Sequence, residues 1–299
     1  MRCQRTSARL ASRAGAGAGP MAGDPERRRE ELEQRARRLR ATLVEMSHRS
    51  GAPHLASGLS CVEILVAAYF EVLALDPRHP SDPERDRFLL SKGHAAAALY
   101  AALALRGFFP GSWLERYAQA GSPLPEQPAP GCVPGVELAT GSLGHGLPVG
   151  LGMALAARLQ GRPQRVFVLL GDGECNEGSV WEAALLAPAR RLGNLAAIID
   201  ANRWQATARS EEVMALAPLR AKWEAFGWEA LEVDGHDPVA LARALARVPR
   251  SGGPGRPLAV IAHTVKGRGV SFMEDDNNWH YRIPTAPELA AARAELGFP

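Results

Sequence analysis

VFVLLGDGECNEGSVWEA, the stretch from Val166 to Ala183, joins an apolar run, a glycine-containing turn and a segment of helical character. A strand, a glycine turn and a helix in this order commonly bind a phosphate group near the start of the helix. This turn also contains two acids, Asp172 and Glu174, and a carboxylate repels a phosphate. A phosphate site here therefore needs a positive group between the acid and the phosphate.

Two common nucleotide-binding motifs are missing from this turn. The spacing of Gly171, Gly173 and Gly178 differs from the GxGxxG fingerprint, and the sequence contains no GxxxxGK[ST] pattern. A carboxylate beside a phosphate becomes favourable when a divalent cation lies between them. Mg²⁺ commonly joins one or two protein oxygens to substrate phosphates. We therefore predict a magnesium site and expect another oxygen ligand nearby.

The next apolar run supplies a candidate ligand. LAAIIDANRWQ, which begins at Leu195, ends in the polar residues Asp200 and Asn202. The carboxyl ends of neighbouring parallel strands lie side by side, so Asp172 and Asn202 can face one ion. Either residue alone would more often be a helix cap or a turn residue. Their pairing across one strand–helix–strand unit favours the metal.

Strands and helices alternate along much of the chain. Apolar runs predict strands at Arg165–Leu170, Leu195–Asp200, Ala230–Asp234 and Leu258–His263, and a short strand is predicted within DRFLLSKGH. Such alternation indicates an α/β fold with a central parallel sheet and helices on both faces.

Helical periodicity predicts a charged amphipathic helix from Pro25 to His48. A second helix, CVEILVAAYFEVL, follows Ser60, which we predict to be its N-cap, with Glu63 at the capping-box position. LPVGLGMALAARL reads as a helix of small residues that can pack closely on a sheet. Residues 110–140 are rich in proline and glycine and are expected to be irregular.

Composition excludes several classes of protein. The 299 residues have a net charge of +3 and 46% hydrophobic content, which suits a globular protein without a nucleic-acid-binding face. Four cysteines without a CxxC pair favour a reducing, cytoplasmic location. No apolar stretch is long enough to cross a membrane. We expect residues 1–22 to be a disordered leader and residues 23–299 to form one diphosphate-binding domain.

GDGECNEGSVWEA followed by IIDANRWQ resembles the thiamine-diphosphate motif of the transketolase family. The resemblance implies a thiamine-diphosphate-binding fold and an Mg²⁺ ion held by Asp172, Asn202 and the main-chain carbonyl of Trp204. Ala201 departs from the motif, which often has asparagine there, but the second asparagine is the ligand. The resemblance further implies cofactor contacts from a set of motif residues: Gly141, Ser142, Leu143, Gly171, Asp172, Gly173, Glu174 and Asn202.

Three histidines fall on further transketolase motifs. SGAPHLASGLSCVEIL, LLSKGHAAAALYA and TVKGRGVSFMEDDNNWH are similar to family segments that place histidines at His54, His94 and His280. The resemblance implies that these side chains handle protons while a two-carbon ketol unit passes from a ketose to an aldehyde. Glu177 matches an acid that lies near the family's subunit interface. It equally suits a helix first-turn acid.

The resemblance covers only the diphosphate-binding half of a transketolase. It implies that the partner is a separate C-terminal, pyrimidine-binding subunit, that the assembly is α2β2, and that the substrates are sugars or aldehydes. Gln127 stands where transketolases usually carry a histidine, and Tyr281 stands where glycine is usual. Both departures leave open a non-standard donor in a specialised pathway. An α subunit of a 2-oxo-acid dehydrogenase and a non-enzymatic cofactor-holding protein are the remaining alternatives.

Overall fold

Five parallel strands form the central sheet of the computed structural model, which describes residues 24–250 and 253–298. The strands are β1 (Arg87–Leu90), β2 (Val166–Gly171), β3 (Leu195–Ala201), β4 (Glu229–Asp234) and β5 (Leu258–His263). Their order across the sheet is β1-β2-β3-β5-β4, and each neighbouring pair is parallel. The predicted parallel α/β fold is confirmed. The predicted leader, residues 1–22, lies outside the described residues.

Helices connect the strands and cover both faces of the sheet. In the described ranges they are α1 (Pro25–Ser50), α2 (Leu55–Ser60), α3 (Val62–Ala67), α4 (Ala96–Arg106), α5 (Gly146–Leu159), α6 (Gly178–Ala189), α7 (Ser210–Val213), α8 (Leu219–Ala225), α9 (Pro238–Leu245) and α10 (Ala286–Glu295). A π-helical turn, Ala68–Val72, extends α3. None of the helices described in residues 24–250 and 253–298 has the length and apolar character needed to cross a bilayer.

Strand β2 shows why the sheet is covered on both faces. Phe167 and Leu169 belong to one buried cluster, which they share with α1, α3 and α4. Val166, Val168 and Leu170 alternate with them and belong to a second cluster, shared with α5 and α6. Successive side chains of a strand point to opposite faces, so an unbroken apolar run requires two apolar layers.

The predicted capping box at Ser60 is wrong. Helix α2 ends at Ser60, and the Ser60 hydroxyl donates to Asp200 Oδ2 at 2.6 Å instead of capping α3. The Glu63 carboxylate accepts from Arg40 at 2.7 Å and lies 3.1 Å from His236 Nδ1. Buried charged groups from distant parts of the chain thus outcompete the local cap, because an unpaired buried carboxylate is costly.

Helix α5 packs closely on the sheet through a glycine. A Cβ atom at Gly150 would lie 2.5 Å from Val168 Cγ2, well inside van der Waals contact. Gly152, on the exposed side of the same helix, has no other heavy atom within 4 Å of such a Cβ. The predicted close approach of this small-residue helix is therefore present, and it depends on Gly150.

These two glycines give a matched test of the packing. We expect Gly150→Ala to destabilise the chain by about 1–3 kcal/mol, because the added methyl group overpacks the contact with Val168. Gly152→Ala should stabilise it by about 0.5–1 kcal/mol through helix propensity alone. Urea unfolding followed by circular dichroism measures both. Equal effects of the two substitutions would contradict the close packing of α5 on β2.

Candidate active site

The turn after β2 places the Asp172 carboxylate in a buried position against the turn after β3. Its Oδ1 accepts from Gly173 N at 2.9 Å, and its Oδ2 accepts from Arg203 N and Ser210 Oγ, each at 2.9 Å. Burial raises the pKa of Asp172 to about 6, against the opposing effect of the Ser210 hydrogen bond. No salt bridge to Asp172 forms within the described part of the chain, so a bound cation would remove this electrostatic cost.

Asn202 lies in the turn after β3, next to Arg203, whose main-chain N–H donates to Asp172. Its Oδ1 accepts from Trp204 N at 3.0 Å, and its Nδ2 donates to Asp200 Oδ2 at 3.3 Å. Residues 24–250 and 253–298 contain no cluster of three or more His, Cys, Asp or Glu side chains suited to a metal. A metal at this turn would instead use one carboxylate, one amide and main-chain oxygen, which is a donor set that suits Mg²⁺.

A three-residue clasp holds the loop that contains Trp204. The Arg209 guanidinium lies 3.8 Å from the centre of the Trp204 ring and donates twice to Asp275, at 2.7 Å each. Asp275 Oδ1 also accepts from Trp204 Nε1 at 2.8 Å. Arg203 and Asp275 both have positive φ, 67° and 57°, which is strained for residues other than glycine. Sequence reasoning missed this clasp because Asp275 is 71 residues from Trp204 in the chain.

Glu174 is buried and is occupied by donors from the protein. Its carboxylate accepts from the Ser91 hydroxyl, from Gly144 N at 2.9 Å and from Gly171 N at 3.1 Å. Burial raises the pKa of Glu174, and these hydrogen bonds oppose the rise. Glu174 therefore joins the ends of β1 and β2 to the segment that leads into α5. A direct contact between Glu174 and a cofactor stays a prediction.

The three predicted histidines converge. The ring centres of His54 and His94 are 5.5 Å apart, those of His54 and His280 are 5.1 Å apart, and those of His94 and His280 are 5.9 Å apart. His54 N donates to the His280 carbonyl at 2.9 Å, which fixes two of the segments together. The three residues are distant in sequence, yet they form one cluster. A separate structural role for each histidine would not require them to meet.

Lys266, which sequence reasoning missed, sets the state of His280. The buried Lys266 ammonium lies 2.8 Å from His280 Nδ1 and donates to Asn277 Oδ1 at 2.7 Å. An ammonium can only donate, so Nδ1 accepts and the ring proton lies on Nε2. Burial and the Lys266 charge lower the pKa of His280 to about 3. His280 is therefore a neutral imidazole at physiological pH, with an N–H donor at Nε2.

Burial acts on the other two histidines in the same direction. It lowers the pKa of His54, with Glu126 opposing the change, and it lowers the pKa of His94 to well below its usual value, with Lys92 adding to the effect. His54 has φ = 69° at the start of α2, a left-handed conformation in a residue other than glycine. Such strain is typical of functional sites.

A buried ion pair joins the turn that contains His94 to the end of β3, which leads into Asn202. The Lys92 ammonium donates to the Asp200 carboxylate and to the Ser57 carbonyl, the latter at 3.0 Å, and the side chains of Lys92 and Asp200 are 1% and 0% exposed. The Thr264 hydroxyl also donates to Asp200. Burial alone would raise the pKa of Asp200, but Lys92 and the hydroxyl groups of Ser60 and Thr264 bring it below its usual value. The LLSKGH motif contained this lysine, but its partner could not be identified from the sequence.

The remaining predicted site residues surround this centre. Gly141 has φ = 138°, and a Cβ there would lie 2.9 Å from Gln127 Oε1. Ser142 is exposed and Leu143 is half-buried at the start of the segment leading to α5. Glu177 is exposed at the N-cap of α6 and makes no side-chain capping hydrogen bond. The roles proposed for these residues stay predictions.

A family model described as the thiamine diphosphate binding domain of transketolase matches residues 30–299. The chain belongs to the transketolase family. Solved transketolases agree with the fold. The enzyme from Leishmania mexicana superposes with a TM-score of 0.82 at 26% identity, and a mutant transketolase from Pichia stipitis with 0.81 at 29%. Each alignment covers 89% of this chain but 41% of the solved chain, so this transketolase chain spans about two fifths of their length.

Curated relatives of this transketolase chain include proteins of similar length. An apulose-4-phosphate transketolase subunit of Actinobacillus succinogenes is 43% identical over 89% of this chain and 96% of its own length. A 6-deoxy-6-sulfo-D-fructose transketolase subunit of Clostridium sp. is 39% identical over 89% and 96%. Human transketolase is 38% identical over 83% of this chain but only 39% of its own length. The chain thus aligns with nearly all of two named subunits and with about two fifths of human transketolase.

Removing the buried ammonium tests the role of the Lys92–Asp200 pair in stability. We expect Lys92→Met to lower the free energy of unfolding by about 3–5 kcal/mol, because Asp200 is left buried without its cation. Adding Asp200→Asn should recover a large part of that loss. Lys222→Met is the control, since the Lys222 amine donates to main-chain carbonyls near the surface. Additive effects of Lys92→Met and Asp200→Asn on the free energy of unfolding in urea would contradict the pairing.

Proposed function

We propose that this chain is the diphosphate-binding subunit of a two-subunit transketolase. Together with its partner it transfers a two-carbon ketol unit from a ketose donor to an aldehyde acceptor. The observation that carries the proposal is the convergence of His54, His94 and His280, with ring centres 5.1–5.9 Å apart, in a member of the transketolase family. The family match favours this activity over that of a 2-oxo-acid dehydrogenase subunit.

Mg²⁺ and thiamine diphosphate are the proposed cofactors. Asp172, Asn202 and the Trp204 carbonyl are the proposed metal ligands. The buried Asp172 carboxylate, which has no cationic side chain bonded to it in the described residues, supports this choice. When bound, thiamine diphosphate supplies the carbanion chemistry. The proposed cofactor contacts come from two glycine-containing turns and their neighbours: Gly141, Ser142, Leu143, Gly171, Asp172, Gly173, Glu174 and Asn202.

The histidines are proposed to bind the donor and handle its hydroxyl protons. His280 can donate from Nε2 to a substrate oxygen, because Lys266 occupies Nδ1. Low pKa values favour the neutral forms of His54 and His94, and a neutral imidazole can accept a hydroxyl proton or hydrogen-bond the alcohol. In this proposal the three rings position the hydroxyl groups on either side of the bond that breaks.

The partner is proposed to be a separate C-terminal, pyrimidine-binding subunit in an α2β2 assembly. Support comes from the alignments, which cover 96% of the Actinobacillus succinogenes subunit and 39% of human transketolase. The exposed Glu177 at the start of α6 is available for an intersubunit contact. We place the enzyme in the cytoplasm, as the absence of a disulfide framework in the sequence favours.

The donor is proposed to be a ketose or ketose phosphate, with a non-standard donor as the second candidate. The names of two relatives support the second candidate, since they refer to apulose 4-phosphate and 6-deoxy-6-sulfo-D-fructose. Gln127 supports it as well, because an amide can hydrogen-bond to a donor but cannot carry a proton at neutral pH. Tyr281 adds bulk beside His280, where the ring centres are 4.6 Å apart.

Two substitutions test the metal site. Asp172→Ala should abolish Mg²⁺-dependent thiamine diphosphate binding to the assembled enzyme, because the anionic ligand is lost. Asn202→Ala should weaken binding less, because the ligand that is lost is neutral. Calorimetric titration with the partner present measures both. Glu211→Ala and Asn278→Ala, at exposed positions, are the controls. Wild-type affinity in either site variant would refute the metal assignment.

Mixing experiments test the two-subunit proposal. The purified chain alone should show no ketol transfer, because the proposed pyrimidine contacts of the cofactor belong to the partner. Addition of the C-terminal subunit should start the reaction, and cofactor should stabilise the complex in thermal unfolding by mass action. Steady transfer by this chain, with the partner excluded by mass spectrometry, would overturn the proposal.

A further inference from the structure

An acidic side chain lies beside the histidine cluster at a position that no family motif assigned. Glu126 Oε1 is 3.7 Å from His54 Nδ1, and the two side chains are 44% and 15% exposed. Among the residues that the structure describes, the ion-pair contact of Glu126 is with His54, and its charge adds to the effect of burial in raising the pKa of Tyr117. The carboxylate thus meets the cluster on one side and solvent on the other.

Hydrogen bonds to main-chain carbonyls fix the backbone around Glu126. Two buried tyrosines donate long hydrogen bonds to consecutive carbonyls: Tyr117 to Glu126 O and Tyr100 to Gln127 O, both at 3.4 Å. Thr140 N donates to the Pro128 carbonyl at 3.3 Å. Prolines at positions 125 and 128 further limit the backbone. The backbone position of Glu126 is therefore set by the fold although it lies in an irregular segment.

His54 Nδ1 is the matching unsatisfied group. This atom is buried and has no hydrogen-bond partner. Its distance of 3.7 Å to Glu126 exceeds a direct hydrogen bond, and one oxygen atom at hydrogen-bond distance from both groups would satisfy it. An alcohol at that place can accept from Nδ1–H and donate to the carboxylate. A carboxylate or phosphate cannot donate, and its charge is repelled by Glu126.

We propose that Glu126 determines donor specificity: with His54 it binds one uncharged hydroxyl group of the donor and disfavours a donor with an anionic group at that place. The inference rests on the proposed ketol transfer and deepens it. In the described residues neither lysine of this region forms an ion pair with Glu126: Lys92 is paired with Asp200, and Lys266 donates to Asn277. The Tyr281 ring, 5.7 Å from that of His54, forms a neighbouring wall of this small site.

Two donors that give the same two-carbon unit test the inference. Erythrulose is an uncharged ketose, and its remaining carbons leave as a hydroxyaldehyde. Hydroxypyruvate has a carboxylate on the reacting carbonyl carbon, and this group leaves as carbon dioxide. In the two-subunit enzyme, Glu126→Gln should change the ratio of kcat/KM values about tenfold in favour of hydroxypyruvate. A buried hydroxyl contact and a nearby charge typically have effects of this size.

Glu115→Gln is the matched control, since Glu115 is an exposed glutamate on a neighbouring turn. Glu126→Ala, a second variant, should move the ratio in the same direction, and unchanged thermal unfolding shows that the variants are folded. If the ratio of kcat/KM values for the two donors in an active, folded Glu126→Gln enzyme lies within twofold of wild type, the inference is overturned and the proposed function is not. Absence of transfer from both donors in the wild-type complex would instead overturn the proposed function together with it.

A measurement on the full chain needs neither cofactor nor partner. The groups that act on His54 are Glu126, Lys266, His94, His280 and Tyr281. Removal of the Glu126 charge destabilises the His54 imidazolium, so Glu126→Gln should lower the pKa of His54 in an NMR titration of labelled histidine. Glu115→Gln should leave it unchanged. An unaltered titration in Glu126→Gln would show that the carboxylate does not face His54, which also overturns the inference.

Discussion

The buried carboxylate of Asp200 is the contact on which the candidate site depends. It accepts hydrogen bonds from Lys92 after β1, Ser60 in α2, Asn202 after β3 and Thr264 after β5. A carboxylate removed from water is tolerated only when such donors are all present. The four segments are therefore tied together at one point. Two of them continue directly into site residues, because Lys92 precedes His94 by two positions and Asn202 is itself a proposed ligand.

Burial shifts the pKa values of acids and bases of the site in opposite directions, and both shifts favour an uncharged side chain. It raises the pKa of Asp172 to about 6 and lowers that of His280 to about 3, and each shift favours the neutral form. The site can thus keep three imidazoles close together without mutual repulsion. It also gains from binding a cation beside Asp172, whereas the histidines are better suited to hydrogen-bonding neutral alcohols.

Much of the fold could be predicted because its determinants are local. The apolar run of β2, buried on both faces, and the GDG turn after it are visible in one short segment, and the histidine motifs converged as their resemblance to transketolases implied. The Ser60 cap was mispredicted because a distant acid, Asp200, uses the hydroxyl. Lys266, the Asp275 clasp and Glu126 were missed for the same reason. Their roles come from partners that only the folded chain brings near, which spacing along the sequence does not encode.

The sheet order has a consequence for how the chain reaches its native state. Strand β5 is the last of the five strands in the sequence. It lies between β3 and β4, which do not pair with each other. Until β5 is synthesised and inserted, β3 has an open edge and β4 has no neighbour in the sheet. Unpaired edges of this kind promote aggregation, and long-range parallel pairing is slow. Insertion of Leu258–His263 is therefore the step that closes the β3 edge against intermolecular strand pairing.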